Sequence, residues 1–143
     1  MTVSLETANK IIKLALEKSR ELKLQPITVV VLDTGGHLVS AQREDDSAIL
    51  RFEVAYGKAW ACLGVGRSTR FLQEILAVQK PQFVAAMSDA SHGRFVPVIG
   101  GVLIKGADGK VLGAVGATGD SGENDEKVVI FALEQCGFKV DLK

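Results

Sequence analysis

His37 directly follows Asp33-Thr-Gly-Gly36 at the start of an extended run, where a side chain can face a cleft at the edge of a sheet. A neutral imidazole there is either a ligand for iron or zinc, or an ordinary solvated or backbone-bonded turn residue. His92, in the polar run Ser88-Asp-Ala-Ser-His-Gly93, is either a second ligand or acid-base group carried on a loop, or a surface histidine. The two lie 55 positions apart with no third histidine and no paired cysteines, so no zinc or di-iron spacing exists and no structural metal site is expected.

Lys58 stands among apolar Ala55, Ala59 and Trp60, two positions from Tyr56, so the lysine and the tyrosine cannot share a helix face. A lysine in such a setting either snorkels to solvent or meets an anionic group such as a propionate, and Arg43 offers a second cation for the same purpose. Thr118 and Ser121 are candidates for holding a carboxylate ligand, with Lys58 or His92 as the acid-base group of such a site. No serine or cysteine occupies a nucleophile-elbow pattern, and Cys62 has no identifiable base, so hydrolase chemistry has no support.

Gly113, Gly116 and Gly119 recur every three residues before a helix, which invites a phosphate-binding reading. Asp120, Glu123 and Asp125 crowd that helix start and would repel a phosphate, so close packing of the strand is the preferred account. Gly64-Val-Gly66-Arg-Ser-Thr69 lacks the glycine-lysine core of a P-loop and reads as a helix stop followed by a cap.

The elements that position these residues follow from periodicity. Ala8, Ile11, Ile12, Ala15 and Ser19 share one face of a helix over about 5–23, capped by Ser4. Pro26 ends it, and Ile27 to Leu32 is β-branched and apolar, a strand covered on both faces. The glycine turn returns the chain as a partner strand, 37–43. Asp45, Asp46 or Ser47 caps a second helix that stops at Gly64 and Gly66; a short helical run begins at Thr69, and another starts with Pro81 in its first turn. A second hairpin, 98–105 with 110–118, precedes a last helix capped by Ser121 or Asp120 and closed by Gly137. Hairpins separated by helices imply an α+β domain with an antiparallel sheet.

Composition narrows the partners. The 143 residues suit one domain, 1–143, and 17 Lys plus Arg balance 17 Asp plus Glu without a basic stripe, so nucleic acid is not expected. No apolar run approaches the roughly 20 residues of a membrane span, and Met1-Thr-Val-Ser does not begin like a signal peptide, so a cytoplasmic location is expected. Cys62 and Cys136 fall on helix faces and read as reduced core residues.

Taken in order, Val31-Leu-Asp-Thr-Gly-Gly-His-Leu-Val39, Arg43, Ala55-Tyr-Gly-Lys-Ala59, Gly100-Gly-Val-Leu-Ile104, Gly113-Ala-Val-Gly-Ala-Thr-Gly119 and Asp125-Glu126 resemble the GlcG/HbpS-like family, also called the haem-degrading domain family and akin to the C-terminal domain of PduO-type cobalamin adenosyltransferases. The resemblance covers nearly the whole chain. It implies a profilin-like fold with a five-stranded antiparallel sheet, assembly into homo-oligomers, and haem or tetrapyrrole binding in place of a demonstrated degrading activity. By position it makes His37 the candidate iron ligand, with Arg43 and Lys58 as partners for the propionates. Leu103 departs from the proline that many relatives carry after Gly-Gly-Val.

Three functions fit these residues. One is a haem-holding or haem-sensing module with its pocket between the first hairpin and the second helix. Another is an isomerase- or lyase-type enzyme acting on a carboxylate-bearing metabolite. The third is a structural or interaction subunit.

Overall fold

The computed structural model describes residues 1–143. Helix α1 spans Leu5–Glu21, and its Ser4 cap accepts the Thr7 amide. It ends two residues sooner than periodicity suggests because Lys23 turns into the left-handed region, at φ 57°. Strand β1 (Thr28–Asp33) then pairs with β2 (Leu38–Arg43), and after a large insertion β3 (Gly101–Lys105) pairs with β4 (Val111–Thr118). Strands β1 and β4 pair antiparallel in the middle, giving the order β2-β1-β4-β3.

The sheet is antiparallel and flanked by helices, as expected, but it has four strands and not five. The stretch that leads into β3 has no free ladder of amides: Pro97 lacks a donor, the Val98 amide bonds back to Val96, and the Ile99 amide is taken by the Gln73 side chain.

Strand alternation sorts the core into two layers. Val29, Val31, Val102, Ile104, Val115 and Ala117 face α1 and α6 (Gly122–Gln135), meeting Ile11, Ile12 and Val128. Val30, Leu32, Leu103 and Ala114 face α2 (Arg51–Val65), meeting Ala55, Ala59 and Cys62. With helices on both faces, β1 is buried almost from end to end, which is why it reads as a continuous apolar run. Each fully buried Ile or Leu contributes roughly 1.5–3 kcal/mol.

Helix α2 starts later than its acidic and serine caps suggested. Leu50 precedes it without a side-chain cap, because the Ser47 hydroxyl is held 2.9 Å from Thr28 Oγ1 and the Ser47 carbonyl accepts Arg43 Nη1. Beyond α2, α3 (Thr69–Phe71) runs through one π-helical turn, Leu72–Leu76, into α4 (Ala77–Gln79). The chain breaks at Lys80 before α5 (Pro81–Ala90), with Pro81 at the first turn. No helix is long and apolar enough to cross a membrane.

Candidate functional site

The β1–β2 turn places His37 at one end of the sheet. Asp33 Oδ1 accepts the amides of Gly35 and His37, each at 2.9 Å, and lies 3.2 Å from His37 Nδ1. The His37 amide, helped by the Gly35 amide and the nearby imidazole, holds the Asp33 carboxyl below the usual carboxylate range against the opposing effect of burial. The imidazole is 80% exposed. With Nδ1 turned to the carboxylate, Nε2 is the nitrogen left outward, the arrangement by which a carboxylate orients a metal-binding histidine.

Helix α2 supports this turn from beneath. Tyr56 Oη donates to the Gly36 carbonyl at 3.2 Å, and the pyrrole edge of Trp60 packs against the Gly36 backbone. Trp60 also lines an apolar hollow of about 200 Å³ with Val65, Met87 and Phe95, and the Arg94 guanidinium sits 4.9 Å above the indole ring. His92 is exposed on the loop after α5, in the left-handed region at φ 56°, with its amide bonded to Asp89.

The remaining predicted residues gather at the opposite end of the sheet. Thr118, Thr28 and Arg43 occupy one register row across β4, β1 and β2. From Thr28 to Asp33 the strand rises about 17 Å. Arg43 and Lys58 therefore do not share a pocket with His37, and the structure forms two separate clusters where the sequence suggested one.

Lys58 is almost completely enclosed. Its Nζ donates to the Ala117 carbonyl at 2.8 Å and to Asp125 Oδ2 at 3.3 Å, and both side chains are at most 3% exposed. A Cβ on Gly100 would lie 2.7 Å from Nζ, so glycine is required for the lysine to lie there. Burial pushes the Lys58 ammonium below its usual range, Asp125 opposes this, and nearby Arg51 adds to it. Burial likewise pushes the Asp125 carboxyl up, against the pull of Lys58 and of the Asp120 amide. The anionic partner anticipated for Lys58 is thus already present within the chain.

Thr118 is buried and accepts Arg51 Nη1 at 2.9 Å, while Ser121 caps α6 by accepting the Asn124 amide. Burial pushes the Cys62 thiol up to about 12, so it is not a nucleophile. Sequence reasoning assigned no role to Asp33, Trp60 or Arg51. Asp33 was detectable as an aspartate two residues before the Gly35 amide it accepts. Arg51 was detectable only as a cation in a helix first turn, where the macrodipole disfavours one.

The sequence profile described as haem degrading protein HbpS-like matches residues 3–134. A 15.0 kDa protein of Citrobacter freundii from the dhaT-dhaS intergenic region is 29% identical over 93% of this chain and 91% of its own length. Corrinoid adenosyltransferase PduO of the same organism is 25% identical over 93% of this chain, which spans only 38% of that protein. The solved structure of a PduOC:haem complex shares the fold, with a TM-score of 0.83 at 22% identity over 99% of both chains. With its profile matched from the first helix to the last, the chain belongs to the HbpS-like family.

Proposed function

We propose that this protein binds haem or a related tetrapyrrole, to hold or sense it, with His37 Nε2 as the iron ligand. The observation that carries the reading is the His37 ring, 80% exposed with Nδ1 against Asp33. Haem would supply an iron that takes a nitrogen ligand and a large apolar face to be covered. Trp60, Val65 and Met87 offer such a surface beside the turn, and the hollow of about 200 Å³ that they line would receive an edge of the macrocycle. Arg94, above the same indole, takes the propionate role on this face, since Arg43 and Lys58 lie at the other end of the sheet. A family relative whose solved structure is a haem complex supports the ligand class.

Self-association belongs to the same reading. Val78 is 73% exposed, and α5 has no fully buried residue, an apolar outer layer suited to a second copy. Sedimentation of the purified protein tests this.

The ligand assignment is tested by titrating haem into wild type and His37→Ala, following the Soret band and the fluorescence of Trp60, the single tryptophan. Saturable one-to-one binding that shifts the Soret band and quenches Trp60, with the shift lost in the variant, is expected. An identical haem spectrum in His37→Ala overturns the assignment.

A further inference from the structure

Gly35 stands where the backbone does not call for glycine. The Gly36 amide closes the turn by donating to the Asp33 carbonyl at 3.0 Å, with Thr34 and Gly35 between them. Gly36 is in the left-handed region, at φ 81°, where glycine is favoured, but Gly35 is not. The reason for glycine at 35 lies instead in the space beside it.

That space is filled by the histidine. A Cβ on Gly35 would lie 2.7 Å from His37 Cε1 and 2.9 Å from Nδ1, while meeting Asp33 Oδ1 at an ordinary 3.5 Å. The nearest obstruction is thus the imidazole, lying back over the turn, and that ring is 80% exposed. A methyl group here displaces the ring and not the backbone, because a side chain with water over most of its surface swings aside at little cost. Once it swings, Nδ1 leaves the carboxylate that lies 3.2 Å away, and Nε2 loses its set direction.

We propose, resting on the haem reading above, that Gly35 is a positioning residue of the His37 site: its missing side chain is the seat in which the imidazole is held against Asp33 before the ligand arrives. Glycine and aspartate act as one device, the first leaving room and the second supplying the acceptor. The iron ligand is set in advance, and little rotamer freedom is lost on binding.

The first readout is the neutral His37 ring in ¹⁵N-labelled protein without haem, at about pH 9. Wild type should carry the ring proton on Nδ1, facing Asp33. Gly35→Ala should shift toward the Nε2–H form that free histidine favours, with its unfolding midpoint unchanged or raised. The second readout is haem titration: Gly35→Ala should bind roughly 10–100-fold more weakly, and the double variant Asp33→Ala, Gly35→Ala should be no weaker than Asp33→Ala alone. An unchanged ring in Gly35→Ala, a lowered midpoint, or additive losses in the double variant would each overturn the proposal, the last because the methyl group would then obstruct haem directly. If His37→Ala keeps the wild-type haem spectrum, the haem reading fails by itself, since the ring measurement needs no ligand and still decides whether Gly35 seats the imidazole.

Discussion

Lys58 Nζ lies 3.3 Å from Asp125 Oδ2 with both side chains withdrawn from water, joining the middle of α2 to the first turn of α6 across the edge of β4. Every donor and acceptor around the pair has a partner: Asp125 Oδ1 accepts the Asp120 amide, and Lys58 also holds the Ala117 carbonyl. A buried pair of this kind recovers little net energy over its desolvation, but losing one member strands the other. It explains an apolar-flanked lysine without recourse to chemistry.

Asp125→Ala should therefore cost about 3–5 kcal/mol, because it leaves the Lys58 ammonium buried and unpaired. The double variant Lys58→Met, Asp125→Leu should recover most of that loss. Urea unfolding of the single and double variants measures both. A loss below about 1 kcal/mol in Asp125→Ala would mean that Lys58 reaches water, contrary to its enclosure here.

Asp33 orients His37 and braces its turn through two amides. Asp33→Ala should weaken haem binding by roughly 10–100-fold, the usual effect of removing a group that orients a metal ligand. Asp33→Asn, which keeps an acceptor oxygen, should weaken it less. The Soret titration reads both variants, and equal affinities for Asp33→Ala and wild type would detach the carboxylate from the site.

Much of this arrangement was legible in the sequence because it depends on local signals. The continuous β-branched apolar run 27–32, the Gly-Gly turn before His37, the Ser4 cap and Gly137 all act within a few residues. What was hidden depends on distant partners. Ser47 looked like a helix cap until Thr28, 19 positions away, engaged its hydroxyl, and Lys58 found its carboxylate 67 positions along the chain. The separation of Arg43 from His37 follows from strand length, yet a single shared pocket looked natural while both were simply members of one motif. Periodicity also could not reveal the π-helical turn at Leu72–Leu76, which frees Gln73 to bind the Ile99 amide.

The three recurring glycines are explained by close backbone approach and not by phosphate: Gly113 meets the Leu32 carbonyl of β1, Gly119 the Pro26 carbonyl, and Gly116 helix α2. A Cβ on Gly116 would lie 2.1 Å from the Ala55 carbonyl oxygen and 3.0 Å from the Ala59 amide nitrogen, both fixed backbone atoms. Gly116→Ala should thus destabilise the fold by about 1–3 kcal/mol or more by prising the helix from the sheet. Thermal unfolding of the variant tests this, and an unchanged midpoint would show that α2 can shift freely.

Acid should loosen the junction between the first helix and the last through Asp120. Its Oδ2 accepts the Gln25 amide, while Oδ1 accepts the Ser121 amide and the Asn124 side chain. The Asn124 bond, followed by those two amides, holds the carboxyl below its ordinary 3.8. Between that value and the lower folded one, the unfolded chain binds more protons, so the Asp120 contribution is present above 3.8 and disappears as pH falls through the folded value. Asp125 acts in the opposite sense: its carboxyl is raised, so above 3.8 the folded chain binds the extra proton and acidification through that window favours folding. Asp120→Asn should accordingly be less stable than wild type near pH 7, with the two stabilities converging as the medium is acidified below 3.8 and through the lower folded value. Urea midpoints measured across that range decide it: parallel curves with a constant gap would remove Asp120 from the acid response.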